Sequence, residues 1–174
     1  MKRDASGLDP EAVHSLAGIV QPVIVILCGL PGSGKTTLAT GLQRRLASRG
    51  RAVDVLHSDD FSRRTYEQMY EHVADAGGDW ILDGTFYKRE WRNQFYRVDR
   101  VFEVWVKASI DTCLRRNQQR QDPISERGVY SIQSEFERPH ADLELDTEAL
   151  SVAEALDSLE ESVVSWLPAD DGDE

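Results

Sequence analysis

The chain has 174 residues, 40% of them apolar and 29% charged, which is enough for one full hydrophobic core and excludes disorder throughout. Asp and Glu outnumber Lys and Arg 31 to 20, for a net charge of −11, and only four of the basic residues are lysine. Such a surface repels long polyanions, which argues against loose charge-driven binding to nucleic acid and leaves tRNA or a 5′-hydroxyl end as a partner only through a local arginine-rich cleft.

In chain order, residues 1–21 carry a weak helical pattern (Val13, Leu16, Ile19) and read as an N-terminal extension without an assigned role. Val23 to Cys28 is an unbroken apolar run bounded by glycine, the mark of a strand buried on both faces. It runs into Gly29-Leu30-Pro31-Gly32-Ser33-Gly34-Lys35-Thr36-Thr37, a G-x-x-x-x-G-K-T loop, and then into a helix striped by Leu38, Leu42 and Leu46. Strand, glycine loop and helix make an anion nest. Backbone N–H groups turn inward and the new helix adds its positive end. Lys35 is placed to reach the β- and γ-phosphates of ATP, and the Thr36 hydroxyl to sit on Mg²⁺. All nine loop residues, Gly29 to Thr37, are expected to contact the nucleotide.

Ala52 to Leu56 reads as the second strand, ending in His57-Ser58-Asp59-Asp60-Phe61 and followed by Arg63 and Arg64. A helix with Tyr66, Met69, Tyr70 and Val73 at helical spacing stops at Gly77-Gly78, and Trp80 to Asp83 is the third strand. Lys88 to Arg97 reads as a short helix that exposes Arg89 and Arg92 and buries Trp91 and Phe95. Val101 to Val106 is a fourth strand. Ser109 starts a helix carrying Leu114, Arg115, Arg116 and Arg120, and Ser125 caps another with Val129, Ile132 and Phe136. Residues 110–139 together read as a helical lid. Asp142 to Asp146 is a short fifth strand, Ser151 and Glu154 form a capping box, and a last helix ends at Pro168 before an acidic tail over 168–174. Strands alternating with helices predict an α/β fold of the P-loop NTPase type, with a five-stranded parallel sheet covered on both faces, in a single domain. No stretch is long enough to span a bilayer and no signal-peptide pattern starts the chain, so a cytoplasmic location is expected. Cys28 and Cys113 sit in apolar patterns and read as core.

In this architecture ligands gather beyond the carboxyl ends of the strands. Asp59 is the expected proton acceptor from a substrate hydroxyl, and Asp83, behind its apolar strand, the expected metal support beside Thr36. Asp60, Arg63 and Arg92, with Arg64, are expected on the acceptor side. Arg116 and Arg120, four apart on one helix, are expected to share a face and stabilise the transferring phosphoryl group. The four histidines form no cluster and receive no role.

The loop from Gly29 to Thr37 resembles the opening of the small P-loop metabolite and nucleic-acid kinases. The C-terminal half resembles adenylylsulfate kinases in Phe102-Glu103-Val104-Trp105-Val106, Asp111-Thr112-Cys113, Arg115-Arg116, Phe136-Glu137-Arg138-Pro139 and Leu143-Glu144-Leu145-Asp146-Thr147. Their D-G-D-N after the second strand is here Ser58-Asp59-Asp60-Phe61. Three other segments resemble polynucleotide kinase and seryl-tRNA kinase: Asp59-Asp60-Phe61, Asp83-Gly84-Thr85-Phe86 followed by Arg92, and Arg116-Asn117-Gln118-Gln119-Arg120. Both resemblances imply ATP, Mg²⁺ and transfer to a hydroxyl. The acceptor is small and nucleotide-like in the first case, and a nucleic-acid end or aminoacyl-tRNA in the second. Relatives in tRNA modification imply a third reading, an ATP-binding adaptor. A monomer or homodimer is expected, with no membrane partner. The arginine-over-lysine acidity also resembles proteins of salt-loving archaea.

Overall fold

A computed structural model describes residues 21–97 and 100–169, so the expected N-terminal helix and most of the acidic tail lie outside the described residues. Five strands form one parallel sheet: β1 (Val23–Cys28), β2 (Asp54–His57), β3 (Trp80–Asp83), β4 (Arg100–Lys107) and β5 (Leu143–Asp146). Their order across the sheet is β2-β3-β1-β4-β5. The chain lays β2 and β3 on one side of β1, then crosses to lay β4 and β5 on the other. All strand ends therefore open on one crevice around the loop that leaves β1.

Alternation along β1 divides the core in two. Val23, Val25 and Leu27 face one layer, formed by α1 (Lys35–Ser48) and α6 (Val152–Trp166) through Leu38, Leu42, Leu46, Leu156, Leu159 and Val163. Ile24, Ile26 and Cys28 face the other, where α2 (Thr65–Ala76) brings Met69 and Val73, and Phe86 and Phe95 fill the space beside them. Both faces of β1 are closed, which is why its sequence shows no polar alternation. Cys28 and Cys113 are buried, free thiols, and burial pushes Cys28 up to about 12.

The short helix α3 (Arg89–Asn93) runs into a turn of 3₁₀ helix over Gln94–Arg97. Here the expectation fails: Arg92 is buried, 1% exposed, while Trp91 is only half-buried. The guanidinium lies 2.7 Å from Glu103 through Nε and donates to the carbonyls of Phe86 at 2.5 Å and Glu137 at 2.9 Å. Glu103 sits mid-way along β4, so the sheet itself carries the buried charge that draws Arg92 inward. Arg92 is thus a strut between the end of β3 and the segment before β5, its guanidinium committed to Glu103 and to backbone carbonyls.

Two helices, α4 (Ile110–Gln118) and α5 (Glu126–Glu135), occupy the segment read as a lid. Ser109 and Ser125 cap them, accepting from the N–H groups of Thr112 and Gly128. Between them Asn117 clamps the connection, donating to the Ile124 carbonyl at 2.6 Å and accepting from its N–H at 3.2 Å. Because α4 stops at Gln118, Arg120 lies beyond it, and the single helical face expected for Arg116 and Arg120 does not exist.

Candidate active site

Backbone conformation builds the loop between β1 and α1. Gly32 and Gly34 take positive φ of 85° and 108°, and a Cβ at Gly32 would run into the Cys113 carbonyl oxygen. The outer carbonyls of the loop are tied down from the far side. Thr147 Oγ1 donates to the Ser33 carbonyl at 2.7 Å, and Arg116 Nη1 approaches the same oxygen at 3.3 Å. Arg116 also holds Thr147, through Oγ1 at 2.9 Å and the carbonyl at 3.0 Å. The N–H groups of Gly29 and Ser33 are taken by the carbonyls of Thr85 and Leu30, while those of Gly32, Gly34, Lys35 and Thr36 carry no backbone partner among the described residues and are left for an anion. Lys35 closes the bend, its Nζ 2.7 Å from the Leu30 carbonyl and 3.4 Å from Ser33 Oγ. Burial holds its ammonium below the usual lysine range, and the nearby Asp83 charge works against that shift.

A cleft of about 280 Å³ opens over this loop, lined by Pro31, Gly32, Gly34, Lys35, Thr36 and Thr37 together with Asp59, Asp83, Arg116 and Arg120, whereas Gly29, Leu30 and Ser33 do not line it. Asp83, at the end of β3, is 4% exposed, and its Oδ2 accepts from Thr36 Oγ1 at 2.7 Å. A hydroxyl and a carboxylate, both hard oxygen donors, thus meet at the base of a phosphate-sized cleft. That donor set fits Mg²⁺, which is held by one or two protein oxygens plus phosphate and water. Asp59 stands in a 3₁₀ turn after β2 (Ser58–Asp60), and its Oδ2 accepts from Arg120 Nη2 at 2.7 Å across the mouth of the cleft. A second hollow of about 210 Å³ shares Gly34, Thr37 and Arg116 with the first and continues between Thr147, Leu150 and Val152.

The remaining expected acceptor-side residues are not brought into the cleft. Asp60 and Arg63 are exposed and do not line it, and Arg64, just before α2, pairs with Glu67 in the first turn of that helix. Three residues at the site are given no role by the sequence, although Asn117 and Thr147 stand in segments that resemble known kinases. Thr147 braces the loop, Asn117 closes the lid connection, and His57 Nδ1 lies 2.8 Å from Asp83 Oδ2. His57 could have been suspected from register, since β2 ends two residues before Asp59 and pairs with β3.

Comparison with known proteins gives relatives in sequence and in fold. The chain is 26% identical over 167 residues to the adenylyl-sulfate kinase of Phocaeicola vulgatus, an alignment covering 82% of each chain. Its fold superposes on the Mycobacterium tuberculosis APS kinase, in complex with AMPPNP and APS, with a TM-score of 0.63 at 24% identity, covering 84% of this chain and 98% of that one. It also superposes on Kti12 of Chaetomium thermophilum in complex with ADP-AlF3, with a TM-score of 0.70 at 15% identity, covering 84% and 100%. The fold is that of the small P-loop kinases, and no described helix is long and apolar enough to cross a membrane. Residues 24–139 match the model of the AAA domain family, and the chain belongs to that family.

Proposed function

We propose that the protein is an ATP-dependent kinase that moves the γ-phosphoryl group to a hydroxyl of a small, nucleotide-like acceptor. One observation carries the reading: a single cleft gathers the anion nest, the Thr36–Asp83 donor pair and the Asp59–Arg120 pair. The triphosphate lies along residues 29–37, and the nucleoside enters the hollow between Arg116, Thr147 and Val152. The Thr36 hydroxyl and Asp83 would hold Mg²⁺, which when bound offsets phosphate charge. Lys35 and Arg120 offset the charge spread over the equatorial oxygens. The acceptor oxygen bonds to the γ-phosphorus as the bond from that phosphorus to the β,γ-bridging oxygen breaks. Its proton passes to Asp59 and ADP leaves.

Support for the acceptor class is the similarity to adenylyl-sulfate kinases together with the acidic surface, which disfavours a long polyanion. Labelled ATP offered with adenylylsulfate, a 5′-hydroxyl oligonucleotide and charged tRNA tests it directly. Label on adenylylsulfate or another small nucleotide supports the reading, and label only on the oligonucleotide or tRNA contradicts it. A second reading, an adaptor that hydrolyses ATP slowly, is favoured by Asp59 being already paired with Arg120. An adaptor tolerates Asp59→Asn, whereas a kinase loses transfer and keeps ATP binding.

A further inference from the structure

We infer that His57 is a positioning residue for the metal-supporting carboxylate, a role resting on the reading of Thr36 and Asp83 as the Mg²⁺ site. His57 and Asp83 are direct partners in the β2–β3 ladder, so both end their strands at the same level of the crevice. Their side chains meet at 2.8 Å, and Thr36 Oγ1 reaches the same oxygen, Oδ2, at 2.7 Å. A carboxylate only accepts, so the shared contact puts the imidazole hydrogen on Nδ1 and the hydroxyl hydrogen on Oγ1. Two donors from different elements therefore fix one carboxylate oxygen. No hydrogen bond among the described residues occupies Oδ1. Thr36, having given its hydrogen to Asp83, keeps its lone pairs for a cation.

The restraint is lopsided without the histidine. Asp83 is only 4% exposed, so water reaches little of it, and Thr36 alone leaves its χ torsions one anchor on the α1 side. His57 supplies the second anchor from the β2 side. Its side chain is itself 31% exposed, so its packing contribution is modest and the hydrogen bond is what the position demands. Outer partners that orient metal-bound carboxylates and imidazoles act in this way elsewhere, and their loss weakens metal affinity without removing a ligand.

The amide isosteres separate orientation from bulk, because Asn places its N–H₂ near the Nδ1 position and Gln places it near Nε2. The measurement is Mn²⁺ affinity by electron paramagnetic resonance in the presence of AMPPNP, alongside AMPPNP affinity without metal. His57→Ala and His57→Gln are expected to weaken Mn²⁺ binding by about 10- to 100-fold, with His57→Asn much nearer the parent protein. Metal-free AMPPNP affinity is expected to stay level across the series. Asn and Gln variants that bind Mn²⁺ equally well, or an Ala variant that matches the parent, would overturn the inference while leaving the kinase reading intact. A parent protein that binds no Mn²⁺ with AMPPNP would overturn both.

Discussion

Asp59 Oδ2 and Arg120 Nη2 meet at 2.7 Å, joining the turn after β2 to the connection between α4 and α5 over the open face of the phosphate loop. The pair is largely exposed, Asp59 at 67%, so it contributes at most about 1 kcal/mol to stability. Its importance lies in position. It sets the proposed proton acceptor and the proposed phosphoryl-stabilising arginine against each other before substrate arrives.

Asp59→Asn is expected to lower acceptor phosphorylation by roughly 10²- to 10⁴-fold, the range for loss of a positioned acid or base. ATP affinity should change little, and steady-state transfer assays beside nucleotide titration check both numbers. Arg120→Ala should depress kcat more than the KM for ATP, because its proposed charge effect grows in the transition state.

The buried strut gives a contrasting prediction. Arg92 and Glu103 are 1% and 4% exposed, and removing one partner strands the other charge in the core. Arg92→Leu is expected to destabilise by about 3–5 kcal/mol in urea denaturation. The double change with Glu103→Leu should cost less than the sum of the two single changes. A stable Arg92→Leu protein with impaired acceptor binding would instead support the acceptor-side role expected from the sequence.

Burial lifts Glu103 above the usual carboxylate range, with Arg92 pulling the other way. The folded state therefore holds this proton more tightly than the unfolded chain does. The stabilisation is complete below the unfolded value of about 4.5 and is lost as pH rises through the higher folded value. Relative to Glu103→Gln, the parent protein should lose stability from pH 4.5 upward, which melting curves across the acid range would show.

Much of this architecture is legible in the residues. β1 and β3 announce themselves as apolar runs between glycines and polar ends, and the capping box at Ser151 and Glu154 fixes the start of α6. The loop from Gly29 to Thr37 carries its own chemistry in its spacing. What escaped was whatever depends on two distant segments meeting. Arg92 looks like a surface residue because its helix is only five residues long, and only the sheet beneath shows Glu103 waiting for it. Arg120 seemed to continue a helix that in fact ends at Gln118. His57 looked like the plain end of a strand, since its partner lies 26 residues away. Phe86 adopts a left-handed φ of 43°, a region that bulky side chains rarely take. The Tyr66 hydroxyl accepting from its N–H holds it there, a compensation that one-dimensional pattern does not reveal.

Salt dependence tests the composition argument. With a net charge of −11, self-repulsion weakens as ionic strength rises. The melting temperature should climb with KCl into the molar range. A decline would count against a salt-adapted surface.

The proposed function requires the bend closed by Lys35 to hold the triphosphate of ATP. Isothermal titration of Mg²⁺ and AMPPNP into the parent protein and into Lys35→Ala tests it most directly. The account predicts one site per chain in the parent and loss of that binding in the variant. In the parent, affinity should fall with rising pH before 10.5, the value of an unperturbed lysine, because burial lowers the free protein's Lys35. Equal binding by the two proteins, or none by the parent, would contradict it.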